Sequence, residues 1–288
     1  MKTKFIHLGQ RVGILLFAFI TLSLNLFAYN PNSTDLVDPV DYPYLQAKYA
    51  AQLSTDPIVN TGTTGGVSDL SILTAKDATI AQLVTSNALL SGGPIRDILF
   101  IGSSTIQYWS MSPENLASDM LPLTSIVNNG IGGSVLIQQI HAFTSLVTPH
   151  QPKVVVLYCE NDITTDAIGV IFEKIRYVGY MVHTAFPNAI FYIVSFKPSP
   201  TYSSIIESKI RPLNVLLKNY ASFRPQTKFI NIFDALMNAD GVTPNPSLFR
   251  ADNLHLSSPG YQVIAPLFRI PLIQSMDLKN GKPTIVIE

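Results

Sequence analysis

Short apolar runs recur along the second half of the chain, and each is closed by a polar or glycine-containing turn. Asp97-Ile98-Leu99-Phe100-Ile101 leads into Gly102-Ser103-Ser104, and the weaker Ser125-Ile126-Val127-Asn128 leads into Asn129-Gly130-Ile131-Gly132-Gly133-Ser134. Lys153-Val154-Val155-Val156-Leu157-Tyr158 is the clearest run, and Cys159-Glu160-Asn161-Asp162 follows it. Ile190-Phe191-Tyr192-Ile193-Val194 and Lys228-Phe229-Ile230-Asn231-Ile232 complete the set. Runs that are apolar at successive positions predict strands buried on both faces. Helical stretches separate them. Ala167–Ala185 is the most regular, with Asp166 placed to cap it. Ile205–Tyr220 contains Pro212, which predicts a kink or a restart. A last helix is expected from Pro259, capped by Ser258. Strands alternating with helices imply an α/β fold, a parallel sheet covered on both faces.

The first ninety-odd residues follow another pattern. Lys2, Lys4 and Arg11 precede an apolar run from Val12 to about Phe27, and Ala28 closes it. A basic start, an apolar middle and a small residue at the end predict a secretory signal over 1–28. The rival reading is an uncleaved membrane anchor, for which the run is short and is interrupted by Asn25. Residues 29–94 read as an N-terminal extension, helical around 44–53 and 74–90. The turn-rich stretch 61–68 between these patches reads as a loop or lid.

Composition narrows the function. Charged residues make up 13% of the 288, and the formal net charge is zero. Basic residues are scattered, which speaks against nucleic acid as a partner. The single cysteine, Cys159, excludes an intramolecular disulfide, so an exported chain has to be held by its core. With 47% hydrophobic residues a large core is available.

In open parallel sheets, sites form beyond the carboxyl ends of the strands. Those positions hold Ser104, the glycines of 130–133, Asn161, and, beyond the fifth run, Asp252-Asn253-Leu254-His255. A hydroxyl, backbone donors, an amide donor and an Asp/His pair are the parts of an acyl-transfer site. Each part alone has a plainer reading as a turn, a cap or a surface pair. Their joint occurrence, three of four directly after predicted strands, is what carries the inference.

These segments resemble the sequence blocks of the SGNH (GDSL-like) hydrolases. Phe100 to Trp109, with Gly102-Ser103-Ser104, is similar to the first block of a branch that uses Gly-Ser-Ser. Gly130 to Ser134 resembles the second block, Glu160-Asn161-Asp162 the third, and Asp252 to Ser257 with Gly260-Tyr261 the fifth. Phe196-Lys197-Pro198-Ser199-Pro200 is similar to a stretch of that branch after its fourth strand. The resemblance spans about 96–268, and it implies a flavodoxin-like three-layer α/β/α sandwich with a mainly five-stranded parallel sheet over 95–288. It also implies roles: Ser104 as nucleophile, His255 as base, Asp252 as the partner of His255. The N–H groups of Ser104 and Gly133 and the side-chain amide of Asn161 would form the oxyanion hole.

The function so implied is an exported serine esterase for short acyl, above all acetyl, esters of a carbohydrate or lipid. An O-acetyltransferase using the same triad, or an inactive glycan- or lipid-binding protein, are the alternatives. Two departures stand out. Ser103 replaces the common Asp, and Cys159 replaces the glycine of the third block, where an inert buried thiol is the simpler reading. Trp109 is expected to pack beneath the nucleophile turn and Tyr158 beside the sheet. The Gly-x-Ser-x-Gly elbow, the dinucleotide fingerprint and His-Glu-x-x-His are absent. No cofactor and no metal is called for.

Overall fold

The structure is a computed structural model in which residues 72–280 are described. The predicted signal segment and the 44–53 and 61–68 stretches lie outside the described residues. Helix α1 (Asp77–Ala88) is followed by β1 (Ile98–Gly102), the short helices α2 (Ser104–Tyr108) and α3 (Leu116–Asp119), and β2 (Ile126–Gly130). Next come α4 (Leu136–Leu146), β3 (Val154–Tyr158), α5 (Ile168–Ala185) and β4 (Ile190–Val194). Helix α6 (Ser204–Ser222), β5 (Thr227–Ile230) and the long α7 (Ser258–Lys279) complete the order.

The five strands form one parallel sheet in the order β2-β1-β3-β4-β5. Strands β1, β3 and β4 are buried at every position, as expected for runs without alternation. Their side chains divide between two layers. Ile98, Phe100, Val154, Val156, Ile190 and Tyr192 join one core with Trp109, Tyr261, Phe268 and Leu272, that is, with α2, α3 and α7. Phe191, one residue out of phase, meets His183 of α5 edge-on on the opposite face. Trp109 is fully buried, and its indole N–H donates to Asp119 at 2.7 Å. Tyr158 is buried beside the sheet as well.

Register aligns the exits of three strands. Gly102 pairs with Gly130 on one side and with Tyr158 on the other. The turns after β1, β2 and β3 therefore leave the sheet side by side. The order of the strands reverses at β1 and β3, and the crevice beyond that point is where ligands of such sheets bind.

Local details differ from the sequence expectation. Ser257, not Ser258, caps α7, its hydroxyl accepting from the Gly260 N–H. Ala167 occupies the cap position of α5, because the Asp166 carboxylate is drawn to Lys174 instead, at 2.6 Å. Pro212 leaves α6 as one continuous helix. The carbonyl whose partner it removes belongs to Ser208, on the exposed side of the helix. Helix α4 carries no sequence expectation, although Leu136, Ile140 and Phe143 lie at helical spacing on its buried face. Within the predicted extension, α1 packs on α4, with Ile80 joining Ile131, Ala142 and Leu146.

Candidate active site

Gly102 ends β1 with φ +144°. A Cβ there would lie 1.7 Å from the Tyr158 carbonyl oxygen, so only glycine allows β1 and β3 to part so closely. That same carbonyl accepts from the Ser103 N–H at 2.9 Å. The chain turns at once into α2, of which Ser104 is the first residue. Its side chain is therefore presented at the rim while the residue stays 93% covered, with 7% exposure.

Asp252 and His255 stand on a tight loop before α7. Asn253 takes the left-handed conformation, φ 56°. This turns the Asp252 carboxylate back onto its own loop, where Oδ1 accepts the N–H groups of Leu254 and His255, both at 2.9 Å. Oδ2 meets His255 Nδ1 at 2.7 Å, and His255 Nε2 lies 3.1 Å from Ser104 Oγ. Burial pulls the Asp252 carboxyl upward, but the hydrogen bonds from the imidazole and the two amides outweigh it and hold it at about 2. A carboxylate ionised at all working pH values selects the tautomer with hydrogen on Nδ1. Nε2 is then left as an acceptor facing the serine hydroxyl.

The second turn is tied to the first. Gly102 O accepts from the Ile131 N–H at 2.8 Å and from Gln139 Nε2 at 3.0 Å. Gly133 has φ +68°. Asn161 Nδ2 donates to the Ser134 carbonyl at 2.7 Å, which brings the third turn against the second and leaves the other amide hydrogen unspent. Among the described residues, the N–H groups of Ser104 and Gly133 donate to no other group. Asp162, next to Asn161, accepts from the Leu136 N–H and pairs with Lys174 at 2.8 Å.

Several neighbours carry no sequence signal. Gln139 holds both Gly102 O and, at 2.8 Å, Ser134 Oγ. Its position on α4 could be read only once that helix was known. The Tyr108 ring meets the His255 ring edge-on at 4.8 Å, and the Arg250 guanidinium lies 4.9 Å from the centre of the Tyr108 ring. The Lys76 ammonium, just ahead of α1, reaches the space beside Gly133. Cys159 Sγ lies 3.4 Å from the Ser134 carbonyl, and burial pushes its thiol well up, so it stays protonated. His141, His150 and His183 lie elsewhere: the first pairs with Asp77, the second with Asn87 and Asn129. Among the described residues no cluster of His, Cys, Asp and Glu could hold a metal ion.

No family model and no curated protein matches the chain. Solved structures do match. A protein from Streptococcus pneumonia provisionally named a platelet activating factor superposes with TM-score 0.60 at 22% identity, over 69% of this chain and 94% of its own. A provisional acylhydrolase from Bacteroides fragilis gives 0.56 at 23% identity, over 70% and 97%. A GDSL-like lipase from Bacteroides thetaiotaomicron gives 0.56 at 17% identity, over 69% and 98%. Identities this low speak for architecture alone. With the strand order and the helical layers described above, they establish that this chain has the fold of the GDSL-like, or SGNH, hydrolases.

Proposed function

We propose that the chain is an exported serine esterase that cleaves short acyl esters, above all acetyl, of a carbohydrate or lipid. One observation carries the reading: the unbroken line from the Asp252 carboxylate through the His255 ring to the Ser104 hydroxyl, at 2.7 and 3.1 Å. Ser104 Oγ attacks the ester carbonyl as its proton passes to His255 Nε2. Charge builds on the carbonyl oxygen, and the N–H groups of Ser104 and Gly133 and the free amide hydrogen of Asn161 are the donors proposed to meet it. His255 then protonates the alkoxide, the alcohol departs, and an acyl-Ser104 remains. Water, activated by the same ring, releases the acid and restores the hydroxyl. Asp252 stabilises the imidazolium in both halves.

The substrate class rests on the predicted secretory segment. Outside the cytoplasm, abundant esters are the acyl groups of external polysaccharide and lipid. A panel of acetylated glycans, p-nitrophenyl esters and lipid esters, run beside Ser104→Ala, tests the reading. Release of free acid by the parent, best with acetyl and lost in the variant, supports it. Acylated sugar in place of free acid identifies a transferase. Turnover that is the same in both proteins on every ester overturns it.

A further inference from the structure

Strand β4 supplies none of the proposed catalytic groups, yet the segment leaving it, 195–199, is entirely buried. Lys197 has 0% exposure. The backbone of Phe196 is clamped from α6, its N–H donating to Asn214 Oδ1 at 2.8 Å and its carbonyl accepting from Asn214 Nδ2 at 2.9 Å. From this fixed base two side chains reach out in different directions.

The Lys197 ammonium meets Glu160 Oε1 at 2.9 Å. Glu160 is buried as well, and it directly precedes Asn161. The same Oε1 accepts from the Thr105 hydroxyl at 3.4 Å, one residue beyond Ser104. Its Oε2 accepts from the phenols of Tyr158 and Tyr202. Burial and the nearby carboxylate push both phenols upward, so they remain donors. The second arm is Ser199, whose hydroxyl donates to the Asn253 carbonyl at 2.6 Å. Asn253 is the left-handed residue between Asp252 and His255.

Burying an ion pair generally stabilises a core no better than apolar side chains of the same volume. Here Glu160, held by Lys197, ties the turn that presents Asn161 to Thr105 beside Ser104, while Ser199 secures the loop that carries His255. We propose that Lys197 and Ser199 are positioning residues. Lys197 acts through Glu160 to hold the Ser104 and Asn161 turns at one spacing, and Ser199 acts through Asn253 to hold His255 against them. The catalytic consequence rests on the esterase reading above; the geometric one does not.

The test uses the full chain in two variants, Ser199→Ala and the double variant Lys197→Met/Glu160→Gln, which strands no buried charge. Three readouts are taken: kcat and KM for p-nitrophenyl acetate per titrated active site, the melting temperature, and the His255 Nδ1 proton by NMR, assigned with His255→Ala. In Ser199→Ala, kcat falls about tenfold or more with KM within about twofold, because misplacement costs rate rather than binding. The low-field Nδ1 resonance broadens or moves upfield while the protein stays folded at the assay temperature. In the double variant kcat falls by about the same factor and the Nδ1 resonance is kept. Parent-like kcat and an unchanged resonance in folded Ser199→Ala overturn the proposal. If the parent itself turns over no ester but the resonance is lost in Ser199→Ala, positioning stands and the esterase reading falls.

Discussion

Replacing Asp252 by Asn isolates the electronic part of the proposed triad from its architecture. The Asp252 side chain does two jobs with two oxygens: Oδ1 accepts the Leu254 and His255 N–H groups, and Oδ2 accepts from His255 Nδ1. Asparagine can keep the first with its carbonyl oxygen, so the left-handed loop survives. Its NH2 then faces Nδ1 and demands an acceptor there. The ring responds by moving its hydrogen to Nε2, 3.1 Å from Ser104 Oγ, where it can no longer take the serine proton. In the serine-protease template such a tautomer error lowers kcat about 10⁴-fold, which is about 5 kcal/mol in the barrier. The same loss is expected here, with KM for p-nitrophenyl acetate little changed. The side chain of Asp252 is 49% exposed, so the melting temperature is expected to move little. Steady-state turnover of p-nitrophenyl acetate, normalised by active-site titration, measures the effect. A folded Asp252→Asn protein that keeps more than about a tenth of parental kcat would refute the tautomer argument.

Three other outcomes follow from the same geometry. Asn161→Ala removes one proposed oxyanion donor and is expected to lower kcat roughly a hundredfold to a thousandfold in the same assay. Gly102→Ala sets a Cβ 1.7 Å from the Tyr158 carbonyl oxygen and forces φ +144° on alanine. Urea unfolding should show a loss of more than about 4 kcal/mol, or no folded protein at all. On acidification, Asp252 should add no ionisation to the kcat/KM profile between pH 4 and 6. Its carboxyl, lowered from 3.8 to about 2, stays ionised throughout that range. Because its folded value lies below its unfolded one, its contribution to stability is present above pH 3.8 and is lost as the pH falls through about 2. An Asp252 ionisation between pH 4 and 6, followed by the carbon-13 NMR shift of its carboxylate, would contradict this assignment.

What was legible in the sequence depended on how local the cause is. Strands β1, β3 and β4 are buried on both faces, so their apolar runs mark them without ambiguity. Strand β5 is an edge, with Lys228 exposed, and pairing stops at Ile230 rather than Ile232. The Asp252–His255 contact is made within one loop and could be anticipated from spacing. The meeting of Ser104 with His255 crosses 151 positions and follows only from the sheet order. Contacts that need a tertiary partner could not be read, even where the resemblance had picked out 196–200 and Glu160: Gln139 on Gly102 O, Ser199 on the Asn253 carbonyl, and the buried Lys197–Glu160 pair. Asp166 misled because two ways of satisfying a carboxylate compete there, a helix cap and an ammonium, and Lys174 wins.

The proposed chemistry stands on the nucleophilicity of one hydroxyl. Incubation with a fluorophosphonate, followed by digestion and mass spectrometry, reads it directly. The prediction is one adduct per chain, on the peptide bearing Ser104, formed rapidly in the parent, much more slowly in His255→Ala and not at all in Ser104→Ala. Adduct on another residue, or labelling of the parent no faster than of His255→Ala, would contradict it.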